Sequence, residues 1–374
     1  MPFRFGLVGA GGAAALHLPA MRTLQDLEVV AIADVDEQRA AALARRYDIP
    51  GVYDSTEALL AEAPVDALAV LSPHHLHLPA VRLAAERGVH VLVEKALAPN
   101  VADADAMIEV CRQRNIVLGG ILQYRFTPGA RQLRQIVQDG SLGRVFFASV
   151  TAKFRRSSDY YTSAPWRGRK TEAGGGALTT QAIHTLDLLI YAMGMPRRVC
   201  GRAATVAHKI EVEDVAAGLL EYGPDCLAVV QTTTAAVPEQ PPQLEIHGVR
   251  GTAATFDNQG QVLFWASTLD QPGSLPDRWR TYATAYQGQE SGSYNQAVLG
   301  PHAENIADFV AAVRDGRAPQ VDGVEATKVL RVINALHASS ASGAWVDLEG
   351  GIAQRSRRSP RAPNGSMSLE RRRS

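Results

Sequence analysis

Four polar side chains, Thr180, His184, Asp187 and Tyr191, recur at helical spacing in the middle of the chain. Three glycines, Gly174 to Gly176, open an apparent helix that continues to Tyr191. At about 100° per residue the four fall on one narrow face, with Leu178, Ala182, Leu186, Leu189 and Met193 roughly opposite. A titratable stripe therefore stands back-to-back with a core-facing one. A histidine there fits three roles: general base, metal ligand or solvated surface residue. Its ordinary pKa of about 6.5 suits proton transfer near neutral pH.

A second reactive candidate is Lys95, in Glu94-Lys95 directly after the apolar run Val89–Val93. A lysine at the carboxyl end of a parallel strand faces a ligand crevice, where it can polarise a hydroxyl and share its proton. The competing reading is an exposed lysine paired with Glu94. The segment Ser72-Pro73-His74-His75-Leu76-His77 follows another strand into the same crevice. Its three histidines share no helical face, and no carboxylate or cysteine accompanies them. It therefore reads as a nucleotide edge or a structural corner, and no metal is expected.

The segment Gly9-Ala10-Gly11-Gly12-Ala13-Ala14 matches G-x-G-x-x-G/A in its proper context. It follows a strand, opens a helix and precedes Asp34 at the end of the second strand. Gly9 permits the tight turn, Gly11 lets the backbone approach a pyrophosphate, and Ala14 allows close packing. The helix start offers N–H groups to phosphate. Asp34 would accept hydrogen bonds from a ribose diol and repel a 2′-phosphate, so NAD is expected over NADP. Arg39 is the one nearby residue that could favour NADP.

The elements that must position these residues follow from periodicity. Apolar strands at 3–8, 28–33, 66–71, 89–93 and 116–122 alternate with helices. That pattern implies a parallel sheet covered on both faces, an α/β Rossmann domain over residues 1–122. Residues 123–350 read as an α+β domain for substrate and oligomerisation. It has a helix near 129–139, a strand at 144–154, the glycine-led helix, and alternating strands at 199–206, 214–222, 226–233, 243–247, 252–256 and 261–265. Their short turns imply a mostly antiparallel open sheet. Residues 268–300 look like a long polar loop, with helices at about 303–315 and 324–340 closing the fold.

The chain has 374 residues, 38 basic and 38 acidic. Residues 351–374 hold seven arginines against Glu370, which leaves a net charge of −6 on residues 1–350. The body is thus mildly acidic and unsuited to nucleic acid. The basic tail reads as a disordered, solvated extension that could touch phosphates or an acidic partner. Three separated cysteines, Cys111, Cys200 and Cys226, fit a reducing cytoplasm, and no apolar run is long enough to span a membrane.

Taken together, Gly9–Ala14, Ser72-Pro73 with His77, Glu94-Lys95, Gln123-Tyr124-Arg125-Phe126, Gly140–Gly143, Pro165-Trp166-Arg167 and Gly174–Asp187 occur in the order seen in Gfo/Idh/MocA oxidoreductases. The chain resembles that family over about residues 3–348. The resemblance implies a pyridine nucleotide acting on a sugar or cyclitol, and a homodimer or homotetramer formed through the second sheet. It implies cofactor contacts from Gly9, Gly11, Gly12, Ala13, Ala14, Asp34, Ser72, Pro73, His74, His77, Glu94 and Lys95. Lys95 matches the active-site lysine and His184 the catalytic histidine, while Thr180 stands where relatives often carry Asp or Asn. Arg125, Arg167 and Tyr161 lie where relatives often contact substrate. By their own chemistry Tyr160-Tyr161 and Trp166-Arg167 could stack on and bond a sugar ring, and His208, Glu213-Asp214 and His302 are further candidates.

Two departures accompany the match. Ala96 replaces the usual proline after Lys95, so a trans peptide is expected there, since cis costs about 2.5–4 kcal/mol without proline. Thr180 cannot ionise, so its hydroxyl is expected to bond substrate or His184. The activity implied is hydride transfer between NAD and a ring carbinol. Its rivals are transient oxidation that cleaves a glycoside, and a non-catalytic nucleotide sensor, against which the pairing of Lys95 with His184 argues.

Overall fold

The computed structural model describes residues 1–256, 262–267 and 294–348. Six strands, β1 (Phe3–Val8), β2 (Leu27–Ala33), β3 (Gly51–Tyr53), β4 (Ala67–Val70), β5 (His90–Val93) and β6 (Leu118–Gly120), form a parallel sheet in the order β3-β2-β1-β4-β5-β6. The order reverses between β1 and β4, and ligand crevices of open α/β sheets lie at such a point. Helices α1 (Ala14–Arg22), α2 (Glu37–Tyr47), α3 (Thr56–Glu62), α4 (His77–Glu86) and α5 (Val101–Gln113) cover both faces. The short β3 and α3 were not foreseen from periodicity; three and seven residues are too few to show a period.

The second layer holds α6 (Pro128–Gln138), β7 (Val145–Lys153), the single turns α7 (Ser158–Thr162) and α8 (Lys170–Ala173), and α9 (Ile183–Met193). Strands β8 (Arg198–Ala204), β9 (Val215–Gly223), β10 (Cys226–Thr233), β11 (Gln243–Gly248), β12 (Gly251–Phe256), β13 (Val262–Ser267) and β14 (Val346–Asp347) follow. With β7 they make an eight-stranded sheet in the order β13-β12-β11-β7-β10-β9-β8-β14. Only the β7–β10 pairing is parallel, as a mostly antiparallel sheet requires. One face packs on α9 through Leu186 and Leu189 against Val150 and Val230.

Two long helices tie the layers together. The first, α10 (Tyr294–Asp315), begins inside the stretch expected as loop, and residues 268–293 lie outside the described residues, as does the basic tail. This helix follows residue 123, yet its Ile306 and Phe309 are buried with Phe5 and Leu7 of the first sheet. The last helix, α11 (Gly323–Ser342), contributes Leu330 to the first domain's core and Leu336 to the second's. A boundary at residue 122 therefore does not separate the two cores.

A buried ion pair pins α9. Arg125 donates to both Asp187 oxygens, at 2.9 and 2.7 Å, and to Glu325 at 2.9 Å. Its guanidinium also lies 5.1 Å from the Tyr191 ring centre. Replacing Arg125 by Met leaves the Asp187 carboxylate buried without its partner. We expect a loss of about 3–5 kcal/mol in urea unfolding, with much of it recovered in Arg125→Met/Asp187→Leu. Equal stability of the single variant and the parent would contradict this account of α9.

Candidate active site

The nucleotide half is shaped by absent side chains. Gly9 has φ +106°, and a Cβ on it would sit 2.8–2.9 Å from the backbone of Leu71 and Ser72. The exit of β4 thus runs flush against the turn. A Cβ on Gly11 or Gly12 would meet nothing within 4 Å, because both open into a cavity of about 880 Å³. No side chain caps the start of α1; the N–H of Ala14 is taken by the Gly11 carbonyl at 3.1 Å and that of Leu16 by the Ala13 carbonyl at 2.9 Å, so the N–H groups offered to an anion lie in the glycine turn ahead of the helix. Ala14 is fully buried, as close packing demands, and Ala13 lies on the wall. Asp34, also on the wall, accepts from the N–H of Ala10 at 2.6 Å and of Asp36 at 2.8 Å. A glycine cradle with an acid at one end fits a dinucleotide. Ser72, Pro73, His74, Glu94 and Lys95 continue the wall. His77 does not: it is fully buried, its ring between the carbonyls of Leu97 and Ser72.

At the far end, the glycine triplet makes room for neighbouring backbone. A Cβ on Gly174 would lie 2.1 Å from the Pro99 oxygen, and one on Gly176 would lie 1.9 Å from the Glu213 oxygen. The Glu213 carboxylate accepts from the N–H groups of Gly176 (2.8 Å) and Leu178 (2.9 Å), holding the start of the histidine segment. Glu213, a candidate substrate contact from the sequence, is thus committed to backbone.

The segment is not one regular α-helix. Residues Ala177–Ala182 form a π-turn, and α9 begins only at Ile183. π-turns are common where a site needs a group aimed off the regular ladder. Thr180 consequently acts differently from expectation. Its hydroxyl donates to the Gly176 carbonyl at 2.8 Å, and its own carbonyl accepts from Lys95 Nζ at 3.1 Å. A lysine from the first domain is thereby fixed to the histidine segment of the second.

Burial pushes the Lys95 ammonium below its ordinary pKa; Glu94 opposes this, while Arg156 and Arg167 add to it. His184 is half-buried, edge-on to Tyr124 at 4.8 Å, and does not itself line the cavity. Its Nδ1 is buried with no hydrogen-bond partner among the described residues. Burial, reinforced by the Lys95 charge, drives its pKa well below 6.5, so the unperturbed value assumed from sequence does not apply. Glu94 accepts from His17 at 2.9 Å and from the Lys95 N–H at 2.7 Å. Burial alone would raise the Glu94 carboxyl, but His17, with Lys95 and His302, holds it below the usual range.

The substrate candidates separate. Trp166 and Arg167 line the cavity, with the Arg167 guanidinium 4.3 Å from the Tyr160 ring centre. Tyr160 is the tyrosine on the wall; Tyr161 is buried, its hydroxyl 3.0 Å from that of Thr234. Arg125 is not on this wall, being committed to Asp187 and Glu325. His208 lies against Asp214, whose carboxylate takes the N–H groups of Val206, Ala207 and His208, so this pair caps a turn. His302 lies within α10, buried and edge-on to His17, rather than ahead of a helix. Gln181, unremarked in the sequence, links Arg156 (2.6 Å) to the Tyr160 hydroxyl (3.0 Å).

The Lys95–Ala96 peptide is cis, contrary to the expectation for a non-proline bond. Ala96 is wholly buried, and its N–H donates to His74 Nε2 at 3.2 Å, so tertiary contacts hold the arrangement.

Buried imidazoles make stability pH-dependent. Burial, with the neighbouring His77, brings His74 down to about 3; burial also lowers His77 and His184. Below about pH 6.5 the unfolded chain takes up protons that the folded protein refuses, so stability is full above that pH and falls as pH drops. His74 alone contributes a loss of about 2 kcal/mol between pH 7 and 5. Thermal unfolding should show the midpoint falling over this range, less steeply in His74→Phe. A midpoint that holds steady would contradict the burial of neutral rings.

Comparison with known proteins agrees with this geometry. Residues 3–120 match the model of an oxidoreductase family with an NAD-binding Rossmann fold, and residues 130–254 match the GFO/IDH/MocA C-terminal domain. D-xylose 1-dehydrogenase (NADP(+)) 2 of Haloferax volcanii is 28% identical over 92% of this chain and 99% of its own. Myo-inositol 2-dehydrogenase of Thermotoga maritima is 24% identical over 87% of this chain and 93% of its own. The WlbA dehydrogenase of Bordetella pertussis, solved with NADH and UDP-GlcNAcA, superposes with a TM-score of 0.81 at 25% identity. That superposition covers 93% of this chain and 98% of the other. The chain belongs to the Gfo/Idh/MocA family of oxidoreductases, and its first domain is the family's NAD-binding Rossmann fold.

Proposed function

We propose that the protein is an NAD(H)-dependent dehydrogenase that interconverts a ring hydroxyl and a ketone on a sugar, glycoside or cyclitol. The observation that carries this reading is the contact of Lys95 Nζ with the Thr180 carbonyl. It joins a lysine at the end of β5 to the His184 segment, in the same cavity as Gly11, Gly12 and Asp34. Bound NAD supplies the hydride acceptor. His184 takes the hydroxyl proton as the carbinol hydrogen leaves, and Lys95 stabilises the charge that develops on oxygen. Thr180 aims Lys95 rather than touching the substrate through its hydroxyl. Trp166, Arg167 and Tyr160 offer aromatic faces and donors suited to a polyol.

Asp34 supports NAD over NADP. Arg39 also lines the cavity, but its Nε lies 2.8 Å from an Asp36 carboxylate oxygen, which competes for its charge. The H. volcanii relative is named for NADP(+). The open face of the second sheet exposes Leu219 and Leu227, in line with a homodimer or homotetramer. None of the described helices is long and apolar enough to cross a membrane.

A panel of sugars, glycosides and cyclitols followed by NADH absorbance tests the reading. His184→Ala and Lys95→Met should each lower kcat about 100-fold or more with little change in NAD affinity. Full turnover in either variant would remove that residue from the mechanism. Product cleavage without NADH accumulation would favour transient oxidation over net dehydrogenation. Because His184 titrates well below 6.5, the acid limb of kcat/KM should also fall below pH 6.5. A limb at 6.5 or above would mean that His184 is not the base.

A further inference from the structure

His74 joins both arms of this site through opposite edges of one ring. Its Nε2 accepts from the Ala96 N–H at 3.2 Å, one residue after Lys95. Its Nδ1 lies 2.9 Å from the carbonyl of Ala173, the residue before the glycine triplet that begins the His184 segment. Because an amide N–H can only donate, Nε2 must be the bare nitrogen, and Nδ1–H donates to Ala173. The two partners thus select one tautomer. The ring is 5% exposed and packs edge-on against Trp166 at 4.8 Å. Beside it the two loops touch directly, since Gly174 leaves no room for a Cβ against the Pro99 oxygen. With the bond from Lys95 to Thr180 a closed circuit results: Lys95, Ala96, His74, Ala173, the glycine triplet, Thr180, and back to Lys95.

We propose that His74 is a positioning residue that fixes Lys95 relative to the His184 segment across the two domains. The inference rests on reading Lys95 and His184 as the reacting pair. It also accounts for alanine at position 96. A proline there has no N–H to give, and its ring carbon would point at His74 Nε2 across the space now spanned by a 3.2 Å hydrogen bond. Histidine at 74 and a residue with an N–H at 96 therefore depend on each other.

That dependence gives a test by paired substitution. His74→Ala strands a wholly buried N–H, and Ala96→Pro sets two rings in collision, so each alone should lower kcat at least tenfold with NAD binding retained. Combining them removes the stranded N–H and the collision but leaves the Ala173 carbonyl without its donor; because both substitutions break the same link, the combined loss in kcat should be no greater than the larger single loss. A combined loss equal to the product of the single losses, or a loss confined to NAD binding, would overturn the proposal. A second readout needs no substrate: the pH dependence of Lys95 acetylation, followed by mass spectrometry. The charged groups that act on Lys95, namely Glu94, Arg156 and Arg167, are unchanged in these variants; of the rings that the Lys95 charge in turn acts on, His184 is unchanged and His74 is the one removed. Loosening of Lys95 in His74→Ala should move its titration towards that of a free lysine, and the paired variant, which lacks the same link, should show no further shift. Unchanged titration in His74→Ala would also overturn the proposal. If His74→Ala does not fold, His74→Phe keeps a ring against Trp166 without either nitrogen and carries the same readouts. A parent enzyme inactive on every sugar and cyclitol would defeat the functional reading alone, and the acetylation profile would still decide the role of His74.

Discussion

Two loops from different domains meet here with no space for a side chain between them. Gly174 lies against Pro99, and the bond from Lys95 to Thr180 spans the same seam. The proposed reacting pair, Lys95 and His184, depends on this contact. Lys95 alone is a lysine at a strand end, and His184 alone is a histidine on a helix. At the seam burial lowers the affinity of both for protons, and the Lys95 charge lowers that of His184 further. Low dielectric strengthens that coupling, as it does any interaction between fixed charges.

Several layers hold the seam. Glu213 anchors the start of the π-turn, and Arg125 with Asp187 pins the helix beyond it. On the first-domain side, Glu94 is held by His17 and in turn holds the Lys95 N–H. Behind them, α11 contributes to the cores of both domains, while α10 completes the core around the first sheet. The acids and bases nearest the reacting pair thus bond to one another and to backbone. Lys95, Arg167 and Tyr160 are among the polar residues that line the cavity at this end.

The sequence was most readable where spacing itself encodes the geometry. The glycine turn and Asp34 belong to one strand-turn-helix-strand unit, and the cavity contains both. Alternation likewise revealed the second sheet, because each strand has one buried face. Other features depend on partners far along the chain. Arg125 looked like a substrate contact because Asp187, 62 residues on, could not be seen as its partner. In the same way, α10 was assigned to the second domain although Phe309 completes the core around Phe5. The π-turn escaped notice because one extra residue per turn leaves the apolar pattern nearly unchanged while redirecting Thr180. Tyr160 and Tyr161 could not be told apart for a similar reason: a five-residue helix fixes too little phase to say which neighbour faces the cavity.

The most direct measurement is a crystal structure of the protein with NAD. The account predicts the pyrophosphate over the backbone of Gly11 and Gly12, the adenosine ribose diol on Asp34, and the nicotinamide ring at the Lys95 and Thr180 end within reach of Trp166. A nicotinamide directed away from Lys95, or a dinucleotide bound outside this cavity, would contradict it.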